Sequence, residues 1–276
     1  MNKYLIAIDL DGTILPNLYG LDDFNVEAFN KIRAQGHDII ITTGRPFRSS
    51  FFVYYKFKLD TPIINYNGQL IFNPRDTKYD VYSITMPKEE LIDIYNHEKE
   101  HYELFFCEVF DEIYANKYDE FSLPIMHHNQ MSTLHIGDLN ELLKTGIHGS
   151  LILAKDGHGQ DIVDYVKDNF KDIDARIWSW GPYKEIVEVF LIEANKGTAL
   201  KKVKKDLGYD FEHTIVCADS INDFELMEEG ATRIAPSNAD NRIKSMANVV
   251  LDEPCEEDAV AKYLLKFLKI GEEDGN

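Results

Sequence analysis

Tyr4-Leu5-Ile6-Ala7-Ile8-Asp9-Leu10-Asp11-Gly12-Thr13 is an apolar run that stops abruptly in two carboxylates, a glycine and a hydroxyl. A continuous apolar run ended by a turn signal predicts a strand buried on both faces, the kind found in parallel sheets. Residues two apart on a strand point to the same side, so Asp9 and Asp11 can face one space just past its end. In open α/β sheets, ligands gather outside the carboxyl ends of the strands. Two bare carboxylates held there repel each other and need a cation, a shared proton or a polar ligand. Taken alone, Asp-Leu-Asp-Gly is equally a turn, because Asp and Gly are favoured turn formers. The ends of the later strands decide between the two.

Outward from that stretch, Asn25 or Asp23 can cap a helix carrying Val26, Phe29 and Ile32, which Gly36 stops. Asp38-Ile39-Ile40-Ile41 is a second buried-type strand, and it ends in Thr42-Thr43-Gly44-Arg45. Strand, helix and strand within roughly 40 residues make a βαβ unit, which crosses over right-handed and leaves its strands parallel. Pro62-Ile63-Ile64 leads to a tight-turn signal at Asn67-Gly68. From Met86 the texture changes to aromatic-rich strands (102–106, 108–115, 150–154, 175–180, 185–191) mixed with helices, one of them over 161–170. That mixture predicts an α+β module inserted into an α/β domain, with the core formed by 1–84 and 190–276 and the module by 85–189. The βαβ rhythm then returns. A helix opens at Lys196-Gly197, and a buried strand, Thr214-Ile215-Val216-Cys217-Ala218, ends in Asp219-Ser220-Ile221-Asn222-Asp223. A closing helix spans 259–268, and the tail 272–276 reads as loose.

Composition narrows the function classes. A chain of 276 residues with 44% hydrophobic content, 15 Tyr and 16 Phe can bury a substantial core and is no disordered acidic chain. Its net charge of -19 repels nucleic acid and anionic membranes, so neither is expected as a partner. The same field repels phosphate esters, and a site for them needs local Lys, Arg or metal. The three cysteines are widely spaced with no Cys-x-x-Cys pair, which argues against a zinc site or disulfide framework built on them and suits a reducing compartment. The N-terminus runs directly into a strand, with no signal-type or membrane-length segment, and a soluble cytoplasmic protein is the expectation.

Three strands thus end in polar clusters: Asp9 with Asp11, Thr43 with Gly44-Arg45, and Asp219 with Asn222 and Asp223. Such a set costs stability and suits a site, and its oxygen-only donors suit a hard cation such as Mg²⁺. Along nearly its whole length the sequence resembles a haloacid dehalogenase superfamily phosphatase of the Cof type (subclass IIB), the branch with a large α/β cap. Asp9-Leu10-Asp11-Gly12-Thr13, Thr43-Gly44-Arg45, Asn195-Lys196-Gly197 and Asp219-Ser220-Ile221-Asn222-Asp223 match the four motifs in order, and Asn67-Gly68 matches a stretch typical of the branch.

The resemblance implies a Rossmann-like parallel-sheet core with an inserted α+β cap that sets substrate specificity. It implies Asp9 as nucleophile, forming an aspartyl-phosphate, and Asp11 as general acid and then general base. Asp9, Asp219 and the backbone carbonyl of Asp11 would hold Mg²⁺. Thr43, Gly44 and Lys196 would hold the phosphoryl group, and Asn222 and Asp223 would support the metal or Lys196. The implied reaction is hydrolysis of a small phosphate ester, with sugar phosphates the best fit. A sugar phosphomutase, a receiver-like phosphoacceptor and a non-catalytic binding protein are the alternatives. Receivers are short single domains with a mid-chain nucleophile, and the intact Asp9, Asp11, Lys196 and Asp219 argue against a dead site.

Plainer readings stand beside these. Lys196 could merely open a helix, although a cation at that positive end is unfavourable. Thr43 could simply end a strand, and Arg45 reads equally as a surface cation. In the inserted module His127, His128, Trp178, Trp180 and Lys184 could touch a leaving group, but aromatics there are usually core and a His pair usually lies in a solvated loop. Ala218 and Ala259 stand where the family commonly has glycine, small departures that bear on rate or substrate fit.

Overall fold

In the computed structural model, which describes residues 3–271, the opening apolar run forms β1 (Leu5–Ile8), all four of its residues fully buried. The tail 272–276 lies outside the described residues. After β1 come α1 (Asp23–Ala34), β2 (Asp38–Ile41), α2 (Phe47–Lys56), β3 (Ile63–Asn65), β4 (Leu70–Phe72) and β5 (Tyr82–Ser83). The next stretch holds α3 (Lys88–His97), β6 (Tyr102–Val109), β7 (Glu112–Ala115), β8 (Thr133–Ile136), α4 (Leu139–Leu142), β9 (Gly149–Ala154), α5 (Gly159–Asn169), β10 (Ile173–Trp180) and β11 (Tyr183–Leu191). The last contains α6 (Lys196–Leu207), β12 (Thr214–Cys217), α7 (Phe224–Met227), β13 (Thr232–Ala235), α8 (Asn241–Met246), β14 (Val249–Val250) and α9 (Ala259–Phe267).

The chain divides into two compact units. One takes the chain up to Arg45, Ser50–Tyr82 and everything from Asn195 on; the other takes Pro46–Ser49 and Ser83–Ala194. In the first, a five-stranded parallel sheet runs in the order β14-β13-β12-β1-β2. Leu5 stands opposite both Thr214 and Asp38, and Ile8 opposite both Cys217 and Ile41, so β12, β1 and β2 end level with one another. That register brings the residues following all three strands to one edge. Leu5 and Ala7 bury one face of β1 with Ile40 and Val216 against Ala199, Leu200 and Val203 of α6. Burying each large aliphatic there is worth about 1.5–3 kcal/mol, which fixes α6, and its first residue Lys196, against the sheet.

Two local readings are corrected. The cap of α1 is Asp22, whose side chain accepts from Phe24 N at 2.7 Å, whereas Asn25 is buried inside the helix and donates to Asp258 Oδ1 at 2.5 Å. A cap must precede the first helical residue to reach the free N–H groups, and only Asp22 does. In the second unit the first hairpin turns at Phe110-Asp111, after a strand running to Val109, and not near Cys107. Phe110 sits at φ 52, a left-handed conformation with no glycine or asparagine to announce it. The second unit is built on a six-stranded sheet, β10-β11-β9-β6-β7-β8, antiparallel except for the parallel β7–β8 pair. Leu91 and Ile94 of α3 and Ile162 and Val166 of α5 pack on Phe105, Ile152 and Val187 of this sheet. The fold is therefore an α/β parallel-sheet core carrying an inserted α+β unit. Among the described residues, no helix is long and apolar enough to cross a membrane.

Candidate active site

Asp9 follows β1 directly, its N–H bonded to Cys217 O at 3.0 Å, so β12 carries the carboxylate's backbone as a further rung of the sheet. The chain then reverses. Ile14 N and Leu15 N both reach back to Leu10 O, at 3.0 and 2.8 Å. Gly12 occupies the bend at φ 77, and a Cβ there would lie 2.3 Å from Asp219 Oδ2. Glycine is needed at this position twice over, for its backbone and for its lack of a side chain. Thr13 donates to Asp219 Oδ1 at 2.8 Å, which fixes the carboxylate that follows β12.

Lys196 is fully buried at the first position of α6. Asn195 caps the helix by accepting from Thr198 N at 2.8 Å. The ammonium donates to Asp9 Oδ1 and to Asp223 Oδ1, each at 2.6 Å, and Asp223 Oδ2 accepts from Ser220 N at 3.1 Å. A lysine at the positive end of a helix is thus held by two carboxylates, which removes the electrostatic misfit seen in the sequence. Carboxylate oxygens of Asp9, Asp219 and Asp223 lie within 4.8 Å of one another.

Three carboxylates against one ammonium leave excess negative charge in a buried place. Burial first, and then the Asp223 carboxylate, push the Asp9 carboxyl well above the ordinary range, with Lys196 pulling it down. Burial and Asp223 also push Asp219 up to about 7, against the Thr13 hydrogen bond and Lys196. For Lys196 burial acts to lower the pKa, but Asp223 and Asp9 outweigh it and hold the value above that of a free lysine. Such a set gains from a second cation, and its all-oxygen donors fit a hard divalent one.

A sign follows for pH. A carboxyl whose pKa is raised on folding keeps its proton between its unfolded value near 4 and its folded value, so stability falls as pH climbs through that window. For Asp219 the window closes at about 7. In EDTA, the melting temperature of Asp219→Asn should therefore rise relative to wild type as pH goes from about 5 to about 8. Melting curves that stay parallel across that range would show that Asp219 carries no such strain.

Asp11, one turn away, is held apart from the trio. Its side chain is 52% exposed and takes a two-pronged grip from Arg45, Nε to Oδ2 at 2.8 Å and Nη2 to Oδ1 at 2.5 Å. Arg45 is only 3% exposed and also donates to Leu18 O at 2.8 Å. Arg45 is therefore no surface cation; its planar fork fits a carboxylate and fixes its orientation. Thr43 is fully buried, its hydroxyl accepting from Arg45 N at 3.1 Å. Gly44 is exposed, and a Cβ on it would come 3.1 Å from Asn67 Oδ1. Asn222 donates to that same Asn67 oxygen at 2.9 Å, and Asn67 sits at φ 52 in the turn after β3.

A profile of the haloacid dehalogenase-like hydrolase family matches residues 6–264. The chain belongs to that family. It is a haloacid dehalogenase-type phosphatase with the architecture of the Cof-type branch. The phosphatase is 31% identical over 271 residues to the 5-amino-6-(5-phospho-D-ribitylamino)uracil phosphatase YitU of Bacillus subtilis, covering 97% of this chain and 98% of the relative. To the pyridoxal phosphate phosphatase YbhA of Escherichia coli it is 24% identical, with 97% and 100% covered. A haloacid dehalogenase-like hydrolase from Bacteroides thetaiotaomicron shares its fold with a TM-score of 0.83 at 20% identity, over 96% of this chain and 100% of that one.

Four residues around the aspartate cluster escaped the sequence reading or were left open by it: Thr13, Arg45, Asn67 and Asn238. Thr13 and Asn67 lay inside quoted motifs. Asn238 had no signal at all; its amide joins Gly12 O and Cys255 N, each at 2.8 Å. In the second unit, Trp178 packs beside Leu104, Phe106, Leu153 and Ile186, as core aromatics do. His128 Nδ1 pairs with Ser132 Oγ at 2.9 Å, Lys184 is exposed, and the Trp180 side chain lies outside the described residues.

Proposed function

We propose that this phosphatase hydrolyses small phosphorylated metabolites, sugar phosphates first among them, through Asp9. The observation that carries the reading is the buried carboxylate of Asp9, held on Lys196 at 2.6 Å beside Asp219 and Asp223. A carboxylate oxygen of Asp9 attacks phosphorus, and the bond from phosphorus to the ester oxygen breaks, leaving an aspartyl-phosphate. Asp11 gives its proton to the departing alkoxide and then takes one from the water that attacks the aspartyl-phosphate, releasing phosphate and restoring Asp9. Arg45 orients the Asp11 carboxylate through both of its oxygens. Lys196, Thr43 and Gly44 bind the phosphoryl oxygens, where the ammonium offsets charge as the transition state forms. Asp9, Asp219 and the Asp11 carbonyl, backed by Asn222 and Asp223, are the groups that would hold Mg²⁺, which when bound offsets the repulsion between an anionic nucleophile and an anionic ester.

Residues 85–189 are assigned the choice of leaving group. The substrate class is supported by relatives named for a phosphoribityl compound and for pyridoxal phosphate, both small monoesters. Phosphate release from a panel of sugar, sugar-alcohol, flavin and pyridoxal phosphates, with Mg²⁺ or with EDTA, tests it. Turnover should require Mg²⁺ and favour sugar or sugar-alcohol phosphates. Preference for pyridoxal phosphate would remove the sugar assignment. Folded, Mg²⁺-loaded protein that turns over nothing would remove hydrolysis itself.

A further inference from the structure

Far along the chain from the aspartate cluster, the second unit brings three histidines and two carboxylates together. Glu98, after α3, is a carboxylate whose side chain is only 2% exposed, and it accepts from His97 Nδ1 at 2.6 Å and His101 Nδ1 at 2.7 Å. His158 caps α5, and its Nδ1 meets Asp161 Oδ2 at 2.8 Å. The His101 and His158 rings stack 4.9 Å apart, and ligand atoms of His101, His158 and Asp161 lie within 4.8 Å of one another. The backbone beneath is tied down: Lys155 N donates to His101 O at 2.9 Å and His158 N to Lys155 O at 3.0 Å.

We propose that His101, His158 and Asp161 form a second cation site, selective for a divalent transition metal of the Zn²⁺ class. Two imidazoles with a carboxylate suit Zn²⁺, Cu²⁺ or Ni²⁺ and not Mg²⁺, which prefers oxygen alone. A carboxylate accepts only, so His101 donates its Nδ1–H to Glu98 and presents Nε2 with a free lone pair. This is the orientation that ligating histidines take, and the buried charge of Glu98 strengthens the imidazole as a donor. His158 Nδ1 and Asp161 Oδ2 already aim at one spot, where a metal takes the place of the proton they share. Tetrahedral ligands at about 2.1 Å from zinc stand roughly 3.4 Å apart, so His158 Nδ1 and Asp161 Oδ2 part slightly from 2.8 Å while His101, within 4.8 Å of both, draws in. The half-exposed rings have room to tilt out of their stack as they do so. The chain's net charge of -19 favours any cation at its surface. Bound metal would staple the turn before β6 to the start of α5.

Calorimetric titration of the full-length protein with ZnCl₂ tests this, with Mg²⁺ saturating so that the aspartate cluster is occupied. The expected result is one equivalent bound per chain and a higher melting temperature, both lost in His158→Ala and His101→Ala. Glu98→Gln should weaken binding by about 10–100-fold, the usual effect of losing a carboxylate behind a ligating histidine. Replacing Zn²⁺ by Co²⁺ should give the visible absorption of a tetrahedral centre in wild type only. His158 is half-exposed and Asp161 exposed, so the His158→Ala and Asp161→Asn variants report on binding even if Glu98→Gln folds poorly. No binding by wild type, or binding that His158→Ala leaves unchanged, would overturn the site.

Discussion

Phosphate release should fall by about 10⁴–10⁶-fold in Asp9→Asn, the scale on which removal of a catalytic nucleophile acts. Asparagine keeps the shape of the side chain and removes the charge that attacks. The fold should survive, because Lys196 keeps Asp223 as its partner at 2.6 Å. Asp9 is also a carboxyl that burial and Asp223 push well above its ordinary range, so its loss relieves the metal-free protein. Melting in EDTA at neutral pH should therefore show Asp9→Asn as stable as wild type or more so, with turnover abolished. A variant that retains turnover within tenfold of wild type would exclude Asp9 as the nucleophile. One that unfolds would show instead that the carboxylate is structural.

Lys196→Met should damage stability and rate together. Methionine fills much of the same space but brings no charge, and the ammonium it replaces is fully buried between Asp9 and Asp223. Removing one member of a buried ion pair costs about 3–5 kcal/mol, because the remaining charges stay buried without a partner. Here three carboxylates would remain. Turnover should fall by about 10²–10³-fold relative to wild type, as when a group that stabilises transition-state charge is lost. Urea unfolding at pH values on both sides of neutrality, with and without Mg²⁺, separates the two effects. The stability loss should be largest at high pH without metal, where the carboxylates are ionised, and should shrink at low pH and with Mg²⁺. Equal stability of variant and wild type at high pH in EDTA would show that Lys196 does not balance these carboxylates.

The sheet core and the residues that end its strands were legible because both rest on short-range rules. Apolar runs such as Leu5–Ile8 and Thr214–Cys217 are long enough to be strands and too short to be helices, and each reaches a carboxylate within two residues of its end. What stayed hidden depends on who meets whom. Arg45 followed a motif, yet nothing in the order of residues says that it turns toward Asp11, 34 positions earlier. Asn238 is a polar residue in a polar loop until the fold sets it against Gly12, 226 positions away. The Phe110 turn was missed because tertiary packing holds a bulky residue in a conformation that its own propensity disfavours. β8 was missed for a related reason. Its residues are half-exposed or exposed, and a strand at the edge of a sheet carries little of the apolar signature that marks a buried one.

β1 lies inside its sheet, yet β12, the neighbour on one side, comes from the far end of the chain; Thr13 and the Asp219 that it holds are 206 residues apart. A ribosome adding about 5–20 residues per second needs roughly 10–40 s to cover that distance. For that interval the nascent chain carries a wholly apolar strand with one edge open, next to β2 and ready to accept any other strand. The aspartate cluster forms only once this gap closes, so a truncated translation product has neither a finished sheet nor the proposed site. Synthesis rate, and whatever shields that edge while the intervening unit is being made, therefore belong to the yield of active enzyme as much as its final stability does.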